Sequence, residues 1–270
     1  MKKIKFLFST LSIIALTFVS CTKEDVASAT DNSPVIASAT IDAVNELDIQ
    51  TGNQVSFDHS TAKKTGKSLT GSCPIVTMEN QTTTFPKTYF VDFGTGCTTN
   101  GITRKGKLKI TFSNYVTETG STMTIERVNY YVNDNKAEGT IVYKNTTSSS
   151  TVPQWTRTVT NGRLTDTKGD VYTNSGTHTV KQTAGASTFT LDDNIYEMTE
   201  GTHTVTKQNG AKIILTVLKP LIKKYSCDYV SEGQLKVEAT LLNGVIDYGN
   251  GECDNIATYT QNGIAFPITM

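Results

Sequence analysis

Apolar and polar residues alternate strictly in Lys107-Leu108-Lys109-Ile110-Thr111-Phe112-Ser113, which places Leu108, Ile110 and Phe112 on one face of an extended chain. The same period of two recurs with Ile213, Leu215 and Val217, with Leu235, Val237 and Ala239, and with Ile264, Phe266 and Ile268. The opposite face is mostly Thr, Lys and Ser. Between such runs stand Asn100-Gly101, Asn161-Gly162, Asn209-Gly210, Asn243-Gly244 and Asn262-Gly263. Asn-Gly is the preferred centre of a type I′ turn, because both residues accept positive φ and the turn's twist matches paired strands. Asp134-Asn135 is expected to do the same between Tyr131 and Glu138. Two independent signals thus predict an all-β body, a large antiparallel meander of roughly a dozen strands over residues 89–270.

One apolar face and one polar face require the meander to curl. A barrel, a half-barrel or a two-layer sheet would satisfy this, whereas a flat sheet would expose its apolar side and two long edges. A membrane-spanning barrel would need an outward apolar band with aromatic girdles. Here the aromatic residues, 8% of the chain, are scattered.

Helical periodicity is scarce. Ile41, Val44 and Leu47 stand about one turn apart, with Thr40 available as an N-cap and Gly52 as a stop, which predicts one short N-terminal helix. Residues 54–72 read as an irregular connector rich in Lys, Ser and Gly. Residues 40–72 are therefore expected to hold helix and connector, and residues 73–270 the β domain.

The first twenty residues have a separate logic. Lys2, Lys3 and Lys5 precede an apolar run over residues 6–19, and Ser20 places a small side chain before Cys21. This resembles a lipobox, with Phe18 where Leu is usual, and implies a signal peptide over residues 1–20 removed at a lipidated Cys21. The run is too short for a comfortable span of about 20 residues. An ordinary secretory signal would want a small residue where Phe18 stands. Each buried methylene adds about 0.8 kcal/mol, so two or three acyl chains on Cys21 would hold the protein firmly to a bilayer. Thr22-Lys23-Glu24-Asp25 looks like the surface-export signal of Bacteroidota lipoproteins. Residues 27–39, rich in Ser, Ala and Thr and containing Pro34, read as flexible, which makes residues 21–39 a lipid-anchored tether. The expected location is the outer membrane, facing the cell surface.

Charge then limits the partners. The 270 residues carry 25 basic and 25 acidic side chains, and loss of Lys2, Lys3 and Lys5 with the signal leaves 22 against 25, a formal −3. A near-neutral body has no electrostatic footprint for nucleic acid and no basic patch for anionic lipid. The expected partners are the membrane, through the N-terminal lipid, and a glycan or another envelope protein.

Two segments echo one another. Cys73-Pro74-Ile75-Val76 leads 24 positions on to Cys97, closing Val91-Asp92-Phe93-Gly94-Thr95-Gly96-Cys97. Cys227-Asp228-Tyr229-Val230 leads 26 positions on to Cys253, closing Ile246-Asp247-Tyr248-Gly249-Asn250-Gly251-Glu252-Cys253. Four cysteines besides the anchor, in an oxidising compartment, favour two disulfides, either 73–97 with 227–253 or the crossed pairs. A bridge closing a loop of about 25 residues would stabilise by about 3 kcal/mol. Free thiols are the next reading. A four-cysteine zinc site ranks below both, because no pair has the close spacing of a knuckle. Asp92-Phe93-Gly94-Thr95-Gly96-Cys97, Arg104-Lys105-Gly106-Lys107 and the stretch from Asp247 through Cys253 to Asp254-Asn255 resemble a group of uncharacterised Bacteroidota surface lipoproteins. The resemblance covers residues 73–270 and implies a surface lipoprotein with an N-terminal helix and a β body. It carries no activity.

Candidate chemistry is sparse. Asp247, Asn250, Glu252 and Asp254 put four oxygen-bearing side chains on a Gly-rich loop, a composition calcium accepts, although an Asp at a tight turn more often caps backbone N–H groups. Gly176-Thr177-His178-Thr179-Val180 recurs as Gly201-Thr202-His203-Thr204-Val205. Twenty-five positions suit two strands and two turns, predicting polar, half-exposed histidines on next-but-one strands, about 10 Å apart. Asp192, Asp193, Glu197 and Glu200 could supply a carboxylate pair for glycoside cleavage, but Asp192-Asp193-Asn194 reads better as the turn before a strand at Ile195. Trp155, the only tryptophan, is expected in the core on the face of Val159. No nucleophile elbow, phosphate loop or dinucleotide fingerprint occurs, and no cofactor is implied. Two readings stand: a non-enzymatic binding or structural module on the cell surface, and a lipid or lipoprotein carrier with an apolar groove in the curled sheet.

Overall fold

The computed structural model describes residues 31–60, 73–148 and 152–270. The signal run, Cys21, the Lys23-Glu24-Asp25 motif and the tether up to Thr30 lie outside them. Helix α1 (Ser33–Ser60) is followed by β1 (Ile75–Met78), β2 (Lys87–Asp92), β3 (Cys97–Thr99), β4 (Ile102–Phe112), β5 (Thr122–Val132), β6 (Asn135–Asn145) and β7 (Gln154–Thr165). The chain continues through β8 (Val171–Ala184), β9 (Ile195–Lys207), β10 (Lys212–Lys224), β11 (Glu232–Glu238), β12 (Gly244–Asn250), β13 (Ile256–Gln261) and β14 (Ile264–Thr269). All pairings are antiparallel and run in chain order from β1 to β14, with short β3 set aside against β4. Each strand thus lies beside the next, as alternation and turn chemistry predict. The sheet is curled and open, since β1 and β14 are not paired, and of the three expected architectures the half-barrel fits.

The alternating residues fill the concave side. Leu108, Ile110, Phe112, Ile213, Leu215, Leu235 and Val237 are all buried. The pattern fails at the edge strand β14, where Ile268 is buried but Ile264 and Phe266 are exposed, because no further strand covers them. Curvature comes from bulges at which register shifts, between Lys105 and Lys107, Glu138 and Thr140, and Val159 and Gly162 among others. At such a site Gly139 takes φ +103°, and a Cβ there would lie 2.7 Å from Asn161 O on the next strand.

The turn dipeptides divide into two groups. Asn100-Gly101 and Asn262-Gly263 have positive φ at both residues and close two-residue hairpins, and Asn209-Gly210 closes the β9–β10 connection. Asn161-Gly162 is instead the bulge inside β7, where Asn161 has φ +52°. The β5–β6 turn is centred on Asn133-Asp134, one residue earlier than expected, with Val132 opposite Asn135.

The helix differs most from expectation. It spans 28 residues, about 42 Å, in place of a short segment over residues 41–49. Residues 33–39 are helical rather than tether, and residues 54–60 are helical rather than connector. Asp31 accepts from Ser33 N, and Pro34 occupies the first turn, where its missing N–H is no loss. Gly52 does not stop the helix. It lets the helix approach β5, since a Cβ there would collide with Met123 Sδ. Residues 34–49 are buried on nearly every side, so no amphipathic stripe marks the element's full length. The helix touches β5, β6, β9, β10 and β14 and so lies in the hollow of the sheet.

Candidate functional site

A helix surrounded by sheet must bury its polar residues, and α1 buries Ser38, Asp42, Asn45, Glu46 and Asp48. Each needs a partner, because an isolated buried charge is prohibitively costly. Strands supply them. Asp48 Oδ1 accepts from Arg104 Nη2 at 2.9 Å and from the Tyr130 hydroxyl at 2.6 Å, and its Oδ2 accepts from Arg127 Nε at 2.8 Å. Arg127 also donates to Asn45 Oδ1. Burial, with Asp48 alongside, raises the Tyr130 hydroxyl well above its ordinary range.

One turn towards the helix N-terminus lies a second network around Arg157, which is 1% exposed. Its Nη1 donates to Glu46 Oε1, and its Nη2 donates to His178 Nδ1 at 3.1 Å. Arginine has no acceptor, so His178 Nδ1 must be bare and its proton sits on Nε2, which points 3.4 Å to His203 Nδ1. His203 then carries its proton on Nε2 and donates to Ser38 Oγ at 3.1 Å. Asp42 faces the same group, 3.8 Å from His203 Nε2 and accepting from the Tyr248 hydroxyl. Burial pushes both histidines below their ordinary value, reinforced by Arg157 at each and opposed at His203 by Asp42. Both rings are neutral.

The histidines therefore differ from expectation. They are buried on adjacent strands β8 and β9, with ring centroids 5.3 Å apart. Strands of 13 and 14 residues make the 25-residue interval one hairpin rather than two. In register, Gly176 faces His203 and Gly201 faces His178, so each glycine makes room for the other strand's ring. A Cβ on Gly176 would collide with His203 Cβ, and one on Gly201 with Thr177 O and the His178 ring.

Where α1 meets β6, β8, β9 and β10 the packing leaves a cleft lined by Glu46, Gln50, Asn53, Tyr143, Tyr196 and Lys223, among others. The room in it for a water-sized molecule is about 20 Å³. Glu46 is raised above its ordinary value by burial, against the pull of Arg157 and Lys223. Lys223 is lowered to about 8 by burial, with Glu46 and Asp228 opposing, and donates to the carbonyls of Lys224 and Cys227. Tyr196 is pushed up to about 12 by burial and accepts from Asn194 Nδ2. Trp155 stacks on Tyr143, centroids 5.5 Å apart, and donates from Nε1 to Val116 O, so it belongs to the core as expected.

Cys73 bonds Cys97 and Cys227 bonds Cys253, the uncrossed pairing. Asp247 accepts from Gly249 N and Gln234 Nε2, Asp92 accepts from Gly94 N in the matching loop, and Asp254 accepts from Ile256 N. These are turn-capping roles. Asn250, Glu252 and Asp254 are exposed, and among the described residues no three His, Cys, Asp or Glu side chains gather to hold a metal ion. The structure therefore does not assemble Asp247, Asn250, Glu252 and Asp254 into a calcium site. Asp192-Asp193-Asn194 is the turn before β9, which begins at Ile195. No family model matches the chain, and no curated protein or solved structure matches it.

Proposed function

We propose that the chain is a lipid-anchored outer-membrane lipoprotein, held through Cys21 and displayed at the cell surface as a non-enzymatic binding module. The lipobox, the Lys23-Glu24-Asp25 signal and the resemblance to Bacteroidota surface lipoproteins support the address. One observation carries the binding role: α1 fills the hollow of the sheet and leaves a polar, aromatic cleft at its seam. The apolar-groove carrier would need that hollow free. Arg157 and Glu46 are paired with each other, and Lys223 is held by two carbonyls. Such an arrangement suits holding a ligand rather than moving protons.

Protease treatment of intact cells tests the display. The protein is expected to be degraded without lysis, and Cys21→Ser is expected to release it from the membrane fraction. Protection until lysis would overturn surface display. Lipid co-purifying in stoichiometric amount with the mature protein would overturn the binding module in favour of the carrier.

A further inference from the structure

One end of the molecule exposes several large apolar side chains. The turns over residues 208–211, 239–243 and 262–263 lie side by side there, because β10 pairs with β11, β11 with β12 and β12 with β13. Leu241, in the β11–β12 turn, is 72% exposed, and Ile264, the first residue of β14, is 60% exposed. Gln261 Nε2 donates to Leu241 O at 2.9 Å, which ties the two turns together. Phe266 lies on the face of Ile264 and stacks on Tyr259, its register partner in β13, yet remains exposed. Helix α1, which touches β14, begins at the same end. Asp31 and Ser33 bond Lys207 at the close of β9, beside the start of β10, and Ile36 in the first helical turn is exposed.

We propose that this end is the surface on which the protein sits on its bilayer, with Ile36, Leu241, Ile264 and Phe266 dipping into the headgroup region. This seating rests on the reading of Cys21 as a lipid anchor and adds the face turned to the membrane. Two observations choose the occupant. The first is reach. Asp31 follows Cys21 by ten residues, which span at most about 36 Å however they are arranged. The described chain begins at Asp31, on the apolar end, so that end is always within reach of lipid. Phe189, 96% exposed in the β8–β9 loop, lies beyond the other end of β9, about 40 Å from Lys207 along a strand of 13 residues. An inverted molecule would lift Asp31 farther from the bilayer than ten residues extend.

The second observation is the blunted edge of β14. Met270 N donates to Asn255 O, which sets the alternation along the β13–β14 pair and turns the nitrogen of Pro267 to the open side. Proline has no N–H, so an added strand, from a partner or a second copy, would lose a hydrogen bond in mid-ladder. Lipid requires no ladder. Leu, Ile and Phe are side chains that interfacial segments bury. Asn209, Asn243 and Asn262 in the neighbouring turns are uncharged, and Lys207 is already paired with Asp31 and Asp170, so a zwitterionic surface suffices.

With Cys21 lipidated and the other four cysteines in disulfides, one added cysteine is the only free thiol. The full lipidated chain should be labelled at Leu241→Cys, and in a second variant at Ile264→Cys, with a thiol-reactive fluorophore and inserted into phosphatidylcholine vesicles. Phe189→Cys is the control at the far end. Phosphatidylcholine brominated high on its acyl chains should cut emission at 241 and 264 by about half, since interfacial side chains lie about 5–10 Å into the headgroup–acyl boundary. Emission at 189 should be unchanged. In protein that floats with the vesicles, equal quenching at both ends, quenching at 189 alone or quenching nowhere would overturn the seating and leave the anchor standing. Protein that does not float with the vesicles would overturn both.

Discussion

Gly176 and Gly201 show how single residues determine what the interior can hold. Each sits opposite a histidine of the neighbouring strand, and each would collide with it if it carried a Cβ. The five-residue repeat is therefore a reciprocal fit, in which one strand's glycine accommodates the other's imidazole. Gly176→Ala and Gly201→Ala should each destabilise by about 3 kcal/mol, the upper end of what overpacking costs, read as a fall in the urea midpoint. Gly96→Ala is the control, because a Cβ there meets nothing within 4 Å, and it should leave the midpoint unchanged. Equal midpoints for all three would show that the strands yield freely. Part of this interior was legible beforehand. Placing Trp155 and Val159 on one face of β7 necessarily places Arg157 there too, and Arg157 is the hub of the buried network. What alternation could not reveal is the partner, because Glu46 lies 111 residues away on an element read only as a short helix.

At the scale of elements, α1 is held by charge as much as by apolar packing. Asp48 is fully buried and receives two guanidinium groups and a tyrosine hydroxyl. Removing one partner from such a cluster leaves the others buried and uncompensated, so Asp48→Asn should cost about 3–5 kcal/mol. The exposed pair Lys236–Glu238 should lose no more than about 0.5 kcal/mol when Glu238→Gln breaks it. Calorimetry of the two variants checks the contrast, and a mild Asp48→Asn would mean that water reaches the cluster. The strands were readable because their apolar positions keep a period of two and their neighbours are next in sequence. The helix was readable only over residues 41–49, because burial on all sides removes the polar stripe by which a helix is recognised. Its small residues, Ala37, Ser38, Ala39 and Gly52, suggested linker and stop, whereas in the fold they allow close approach of helix to sheet. Asn161-Gly162 misled for a related reason: positive φ serves a bulge as well as it serves a turn.

For the molecule as a whole, the buried ionisable groups tie stability to pH. Burial lowers His178 and His203, and it lowers His59, stacked on Tyr89, as well. In the unfolded chain each titrates near 6.5. Below that pH the unfolded chain binds protons the folded chain refuses, so stability falls as pH falls, by up to about 1.4 kcal/mol per pH unit for each of the two buried histidines and by much less for His59, which is exposed. Glu46 acts oppositely. Its folded value is raised by burial, so from 4.5 up to that value the folded chain holds the extra proton, and its contribution declines as pH rises. Two buried histidines against one acid leave a net loss on acidification just below 6.5. On the alkaline side Lys223, lowered to about 8 from 10.5, sheds its proton first in the folded chain. Stability should therefore climb from about pH 8 until the unfolded tyrosines ionise near 10, above which the raised Tyr143 and Tyr196 reverse the trend. Urea unfolding should thus give a midpoint that drops between about pH 7 and about pH 5.5 and rises between about pH 8 and about pH 9.5. A His178→Gln, His203→Gln double variant should flatten the acid limb, and Lys223→Met the alkaline one. If the parent protein's acid limb is already flat, water reaches the imidazoles, and the hydrogen-bonded chain from Arg157 to Ser38 is not sealed within the sheet.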